Sequence, residues 1–72
     1  MPKRRFDYSK MEYAIGEYIT GQNAERNRDI LRLYFLDGYS QERIAEIHEM
    51  SPVQVGRIVR SEGGYLLTKI DL

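Results

Sequence analysis

Apolar residues recur at helical spacing soon after the basic start of the chain, which predicts a first helix. Five of them fall on one helical face: Met11, Ala14, Ile15, Tyr18 and Ile19. Ser9 and Glu12 have the spacing of a capping box, in which a hydroxyl and a carboxylate satisfy reciprocal backbone donors. We therefore expect the helix to begin at Ser9 and to end at Gly21.

A second apolar segment runs from about Asn23 to Leu36, and Asn23 is a suitable N-cap residue. Its apolar residues lie on several sides of the helix, which is typical of a central element. The pair Asp37-Gly38 should end this helix, because glycine readily adopts the left-handed conformation found after helix C-termini.

Two shorter helices are predicted downstream. Ser40 caps the first, which covers about Gln41 to His48 and would turn Ile44, Ala45 and Ile47 inward.

The second shorter helix begins after Ser51, with Pro52 at the first helical position, where its missing N–H is not needed. Ser51 and Gln54 form a second capping box. Val55, Ile58 and Val59 would form the buried stripe.

The pair Gly63-Gly64 is expected to end the fourth helix. The remaining residues, YLLTKIDL, are apolar and partly alternating, so they predict either a strand or a last half-turn packed on the core. The pattern as a whole predicts an all-α fold of four helices with a short apolar C-terminal tail, 63–72.

Composition limits the functional classes. With 72 residues, the chain has the length of one small domain. It has no cysteine, no apolar run long enough for a membrane span and no signal-peptide pattern, so we expect a cytoplasmic protein without membrane contact. No nucleophile–base set and no metal-ligand set is recognisable, so we expect neither an enzyme nor a cofactor. His48 is expected to be a surface or turn residue.

The formal net charge is zero, which argues mildly against nucleic acid as a ligand. The charges are nevertheless polarised along the chain. Residues 1–10 are rich in lysine and arginine, whereas residues 37–50 are rich in acids. One face could therefore meet phosphates while another faces water or a protein.

The third and fourth predicted helices are separated only by residues 49–51, which is the pattern of a helix-turn-helix unit covering 40–62. Ala45 supplies the small residue where the helices cross, and Val55 and Ile58 can face back onto the first of the two. Glu49 occupies a turn position where glycine is usual, and a left-handed glutamate costs about 1 kcal/mol.

The segment RDILRLYFLDGYSQERIAEIHEMSPVQVGRIVR, residues 28–60, resembles the promoter-reading C-terminal region of bacterial sigma factors. The matching positions are Ile30, Leu31, Leu33, Tyr34, Gly38, Ser40, Gln41, Glu42, Ile44, Ala45, Glu46, Met50, Ser51, Gln54, Val55, Arg57 and Arg60. The resemblance implies a recognition helix over about 52–62 that enters the major groove. The short chain favours a stand-alone, sigma-like regulator of the kind found on phages and mobile elements.

The DNA-contacting positions follow from that reading. Those predicted to point outward from the fourth helix are Ser51, Pro52, Val53, Gln54, Gly56, Arg57, Arg60 and Ser61. Arginine and glutamine can each make two hydrogen bonds to a base edge, and valine can meet a thymine methyl. Gly56 would let DNA come close.

Phosphate contacts are expected from other elements. Gln41 and Arg43 could reach flanking phosphates from the start of the third helix. Lys3, Arg4 and Arg5 lie in a basic arm, residues 1–8, which is either a flexible solubilising terminus or a DNA-binding arm.

One unit of this kind reads only a few base pairs, so we also expect a homodimer or a contact with RNA polymerase. The first helix and the tail are the spare apolar elements for a dimer. The alternative is a helix-turn-helix module that binds a protein of the transcription machinery through its acidic third helix.

Overall fold

A computed structural model describes residues 7–70 of the chain, and those residues are all-α, as the apolar pattern predicts. Within 7–70 there is no strand. The elements are α1 (Tyr8–Tyr18), α2 (Ala24–Leu31), a π-helical stretch that continues α2 (Arg32–Leu36), α3 (Gln41–His48) and α4 (Pro52–Ile70).

The start of α1 differs from the sequence prediction. Asp7 caps the helix, since its carboxylate accepts hydrogen bonds from the backbone N–H of Ser9 at 2.8 Å and of Lys10 at 3.2 Å. The prediction that Ser9 is the cap is therefore wrong. A carboxylate also suits this end of the helix dipole. Tyr8, which was predicted to be the last residue of the basic arm, is helical, and residues 1–6 lie outside the described residues.

The second helix covers the predicted span, but both of its ends hold differences. Asn23 is the N-cap residue, as predicted, but it has a left-handed backbone (φ 66°) and its side chain makes no capping hydrogen bond. Near the other end the helix widens, and the N–H of Asp37 donates to the carbonyl of Arg32, five residues back, at 3.1 Å. Gly38 then adopts φ 77°, as predicted.

The third helix has the predicted bounds and cap. The hydroxyl of Ser40 accepts from the N–H of Arg43 at 3.1 Å, and Ile44 and Ala45 are buried. Ile47, however, is 45% exposed, so its predicted inward position is wrong. His48 is half-buried, with Nε2 at 2.7 Å from a carboxylate oxygen of Asp29, which ties the end of α3 to α2.

The fourth helix continues through Gly63-Gly64 to Ile70, so the predicted stop and the possible strand in the tail are both wrong. Its buried stripe extends from Val55 and Val59 to Leu66 and Ile70.

Gly63 belongs to the buried side of α4, because the ring of Phe35 lies directly over it. A Cβ at Gly63 would be 2.9 Å from two ring atoms. This glycine therefore serves close packing rather than helix termination.

The core lies between α4 and the other helices. The first half of α4 packs on α3, and the last turns of α4 pack on α1. The buried apolar residues are Met11, Ala14, Ile15, Ile19, Ile30, Leu31, Phe35, Ile44, Ala45, Val55, Val59, Leu66 and Ile70. This arrangement fixes the first half of α4 beside α3 and leaves its outer side uncovered by the residues described.

Candidate nucleic-acid interface

The start of α4 is fixed by a complete capping box. The N–H of Gln54 donates to the hydroxyl of Ser51 at 3.1 Å, and the N–H of Ser51 donates to the side-chain carbonyl of Gln54 at 3.1 Å. Pro52 occupies the first helical position. Two of the donors that a helix N-terminus leaves free are thus satisfied. Because the side chain of Gln54 is held in this capping box, its amide has fewer orientations in which it could contact a base.

The candidate base-reading side chains share the outer face of α4. Val53 is 68% exposed. Arg57 and Arg60 are also exposed, at four and seven residues from Val53, so the three lie on one helical face. Ser61 lies next to them, but its hydroxyl donates to the carbonyl of Arg57 at 2.9 Å. The face therefore presents one branched apolar group and two guanidinium groups. Exposed Ser51 and Pro52 lie at its N-terminal end.

Gly56 is not on that face, and the prediction that it points outward is wrong. It is buried, and a Cβ there would lie 2.9 Å from the side-chain carbonyl oxygen of Gln41. Gly56 therefore serves the contact between α3 and α4. Gln41 is half-buried over it, at the first position of α3.

Arg43 is exposed in the first turn of α3. Its Nη1 lies 3.0 Å from a carboxylate oxygen of Glu46, and both side chains are largely exposed. Ion pairs exposed to this degree stabilise a fold by at most about 1 kcal/mol and are screened by salt. The pairing therefore leaves the guanidinium able to exchange Glu46 for another anion.

Arg26 is a further cation near the start of α4, and it is not among the predicted site residues. It comes from α2, and it lines a cavity of about 200 Å³ beside the start of α4. The other lining residues are Met50, Gln54, Arg57 and Ile58. The tertiary fold brings Arg26 and Arg57 to one cavity, and no local sequence motif marks that proximity.

The turn between α3 and α4 is well formed despite its missing glycine. Glu49 has φ 55° and ψ 47°, the left-handed conformation expected there. The N–H of Met50 donates to the carbonyl of Ala45 at 2.9 Å, and that of Glu49 to Glu46 at 3.3 Å. These are the two hydrogen bonds of a Schellman motif. The motif sets the path from α3 into α4 at the cost of one strained residue.

The electrostatic character of the region is mixed. Arg26, Arg57 and Arg60 supply positive charge on α2 and α4. Glu42 and Glu49 are exposed on α3 and in the turn, so negative charge flanks the arginine-bearing face. The predicted basic arm, Lys3 to Arg5, lies outside the described residues. The described part of the interface therefore depends on a few placed arginines rather than on a broad basic surface.

Residues 7–70 also bear on membrane crossing and on metal binding. No helix there combines the length and the apolar character that crossing a membrane requires. Nor do the described side chains bring together three histidine, cysteine or acidic residues in a way that could hold a metal ion. No protein-family model, curated protein or solved structure matches the chain.

Proposed function

We propose that the protein is a regulator of transcription that binds double-stranded DNA, with α3 and α4 forming a helix-turn-helix unit. The observation that carries the proposal is the outer face of α4, where Val53, Arg57 and Arg60 are exposed together on a capped helix. These are side chains that can contact a thymine methyl and the acceptors of guanine in the major groove. The sequence resemblance of residues 28–60 to sigma-factor C-terminal regions supports the same function.

In this mechanism the first half of α4 lies in the major groove. Arg57 and Arg60 read base edges, and Val53 excludes water from a thymine methyl. Arg26 at the neighbouring cavity and Arg43 on α3 bind phosphates, which fixes the orientation of the helix without reading sequence. The proposed function is binding alone, and it needs no catalytic group.

The proposal is tested by selecting duplexes from a random library and then comparing variants on the selected site. Arg57→Ala should weaken binding by about 1–3 kcal/mol, roughly 5- to 150-fold, and should broaden the sequence preference. Arg26→Ala should weaken binding to all sequences alike, because it removes a phosphate contact.

Arg57→Lys is the matched control, since it keeps the charge and removes the planar fork. It should retain binding to random DNA while losing preference at one base pair. If the wild type, Arg57→Ala and Arg57→Lys bound the selected duplex equally well, α4 would not be the helix that reads the bases.

A second candidate function is supported by the acids on and beside α3. Glu42, Glu46 and Glu49 are all exposed, so they form a local acidic surface whose charge complements that of a basic protein. Such a module would tolerate Arg57→Ala, whereas reversal of these three charges would abolish partner binding. Arg57→Ala and the triple charge reversal of Glu42, Glu46 and Glu49 therefore discriminate between the two functions.

A further inference from the structure

Exposed tyrosines are concentrated on α1 and on the last turns of α4. Tyr13 is 67% exposed, Tyr65 47% and Tyr18 39%. Large aromatic groups grouped on one surface are typical of protein interfaces. This surface has no role in the proposed DNA binding, because it lies near the C-terminal end of α4 and the DNA-reading face lies near the N-terminal end. Gln54 and Lys69 are about 22 Å apart along that helix.

A groove of about 390 Å³ runs between α1 and the end of α4 on this surface. Ala14 is buried, and its small side chain leaves room in the lining. Tyr13, Tyr18, Lys69 and Ile70 are among the residues around it.

One side of the groove is held in place by a cluster of rings and one cation. Tyr18 and Tyr65 pack edge to face with centroids 6.3 Å apart, and the Lys69 Nζ lies 5.6 Å and 5.3 Å from the two ring centroids. Such contacts restrict rotation of these side chains. The groove is therefore largely formed before any partner arrives, and it can accept an aromatic side chain.

The charges beside the groove follow a self-complementary order. Lys10, Tyr13 and Glu17 are spaced by three and then four residues, so they share one face of α1, and all three are exposed. Neither Lys10 nor Glu17 has an ion-pair partner within residues 7–70. When two copies of α1 lie antiparallel and Lys10 faces the partner's Glu17, the same register places Tyr13 opposite the partner's Ala14.

We propose that a second copy of this chain occupies the groove, in a two-fold dimer formed by antiparallel α1 helices. Each Tyr13 inserts beside the Ala14 of the partner subunit, between its α1 and the end of its α4. Each Lys10 pairs with the partner's Glu17, so the interface has two equivalent ion pairs. The occupant is a second copy because α1 carries both the inserted tyrosine and the groove, and both signs of charge at matching positions.

The dimer leaves the outer face of α4 uncovered on both subunits. It would therefore present two DNA-reading faces, as a two-fold related pair of half-sites requires. The inference stands on α1 and the end of α4 alone. It is tested without DNA, so its failure is distinguishable from failure of the DNA-binding proposal.

The test is sedimentation equilibrium of the wild type and of charge variants, at concentrations up to about 1 mM, where weak dimers still form. Glu17→Lys should weaken self-association roughly tenfold or more, because two attractive contacts become repulsive. Lys10→Glu should do the same. The double variant Lys10→Glu/Glu17→Lys should restore the dimer, because it exchanges the signs at both contacts.

Glu12→Lys is the matched control, since it makes the same charge change in α1 without occupying that face. It should leave the dimer intact. Circular dichroism of each variant verifies that the helices remain folded. Tyr13→Ala, at a largely exposed position, should abolish the dimer while the monomer stays folded. The proposal would be overturned if the wild type were monomeric at every concentration up to about 1 mM. It would also be overturned if the wild type dimerised but the double variant Lys10→Glu/Glu17→Lys did not.

Discussion

Gly63 and Gly64 are neighbours in α4, yet alanine should stabilise the protein only at Gly64. Gly64 is exposed, and a Cβ there would meet nothing within 4 Å. Gly63 is buried, and its Cβ would be 2.9 Å from two atoms of the Phe35 ring. A comparison of the two alanine variants therefore separates the effect of helix propensity from the effect of packing between α4 and the π-helical stretch.

The magnitudes follow from those two surroundings. Gly64→Ala should stabilise the protein by up to about 1 kcal/mol, the usual difference between glycine and alanine inside a helix. Gly63→Ala gains the same propensity but must displace a ring in the core, and overpacking of this kind costs about 1–3 kcal/mol. The free energies of unfolding of the two variants should therefore differ by about 1–3 kcal/mol.

Urea denaturation followed by circular dichroism measures both free energies, and the denaturant slope verifies that each variant unfolds as one cooperative unit. In a domain of this size, 1 kcal/mol corresponds to about 4–8 °C in Tm, so thermal scans should give the same order of stability. Equal stabilisation by the two alanines would show that Phe35 does not lie against Gly63. The close packing of α4 on the π-helical stretch would then be refuted.

Three further substitutions test the ends of the helices. Glu49→Gly should stabilise the protein by about 0.5–1 kcal/mol in urea denaturation, because glycine adopts the left-handed conformation without strain; a destabilised variant would contradict the Schellman turn. Asp7→Ala should cost about 1 kcal/mol through loss of the α1 cap. Ser9→Ala should cost little by the same assay, and the reverse order would restore Ser9 as the cap.

Local chemistry made the α3–α4 region predictable. Ser40 and Ser51 are followed by residues that complete short-range hydrogen bonds, so the helix starts can be deduced from spacing. Pro52 at the first helical position adds to the same signal. The left-handed Glu49 was also expected, since a turn of three residues between two capped helices leaves few other conformations.

The errors have tertiary causes. The local sequence predicts that Gly63 ends a helix. It predicts that Gly56 lies on an open surface. Each instead has a side chain from another helix over it, Phe35 and Gln41. The widened turn before Asp37 has no marked local signature either.

Only part of the candidate site could be predicted from the sequence. Helical spacing was enough to place Val53, Arg57 and Arg60 on one outer face. Arg26 could not be found in that way, because α2 is brought to the start of α4 only by the packing of the core.

Binding of DNA by the start of α4 is tested most directly by a salt titration. Fluorescent random duplex is titrated with the wild type and with Arg57→Ala/Arg60→Ala at two salt concentrations. We expect wild-type binding that falls steeply with salt, because DNA phosphates release counterions when the protein binds, and much weaker binding by the variant. No binding by the folded wild type at low salt, or equal binding by the two proteins, would contradict it.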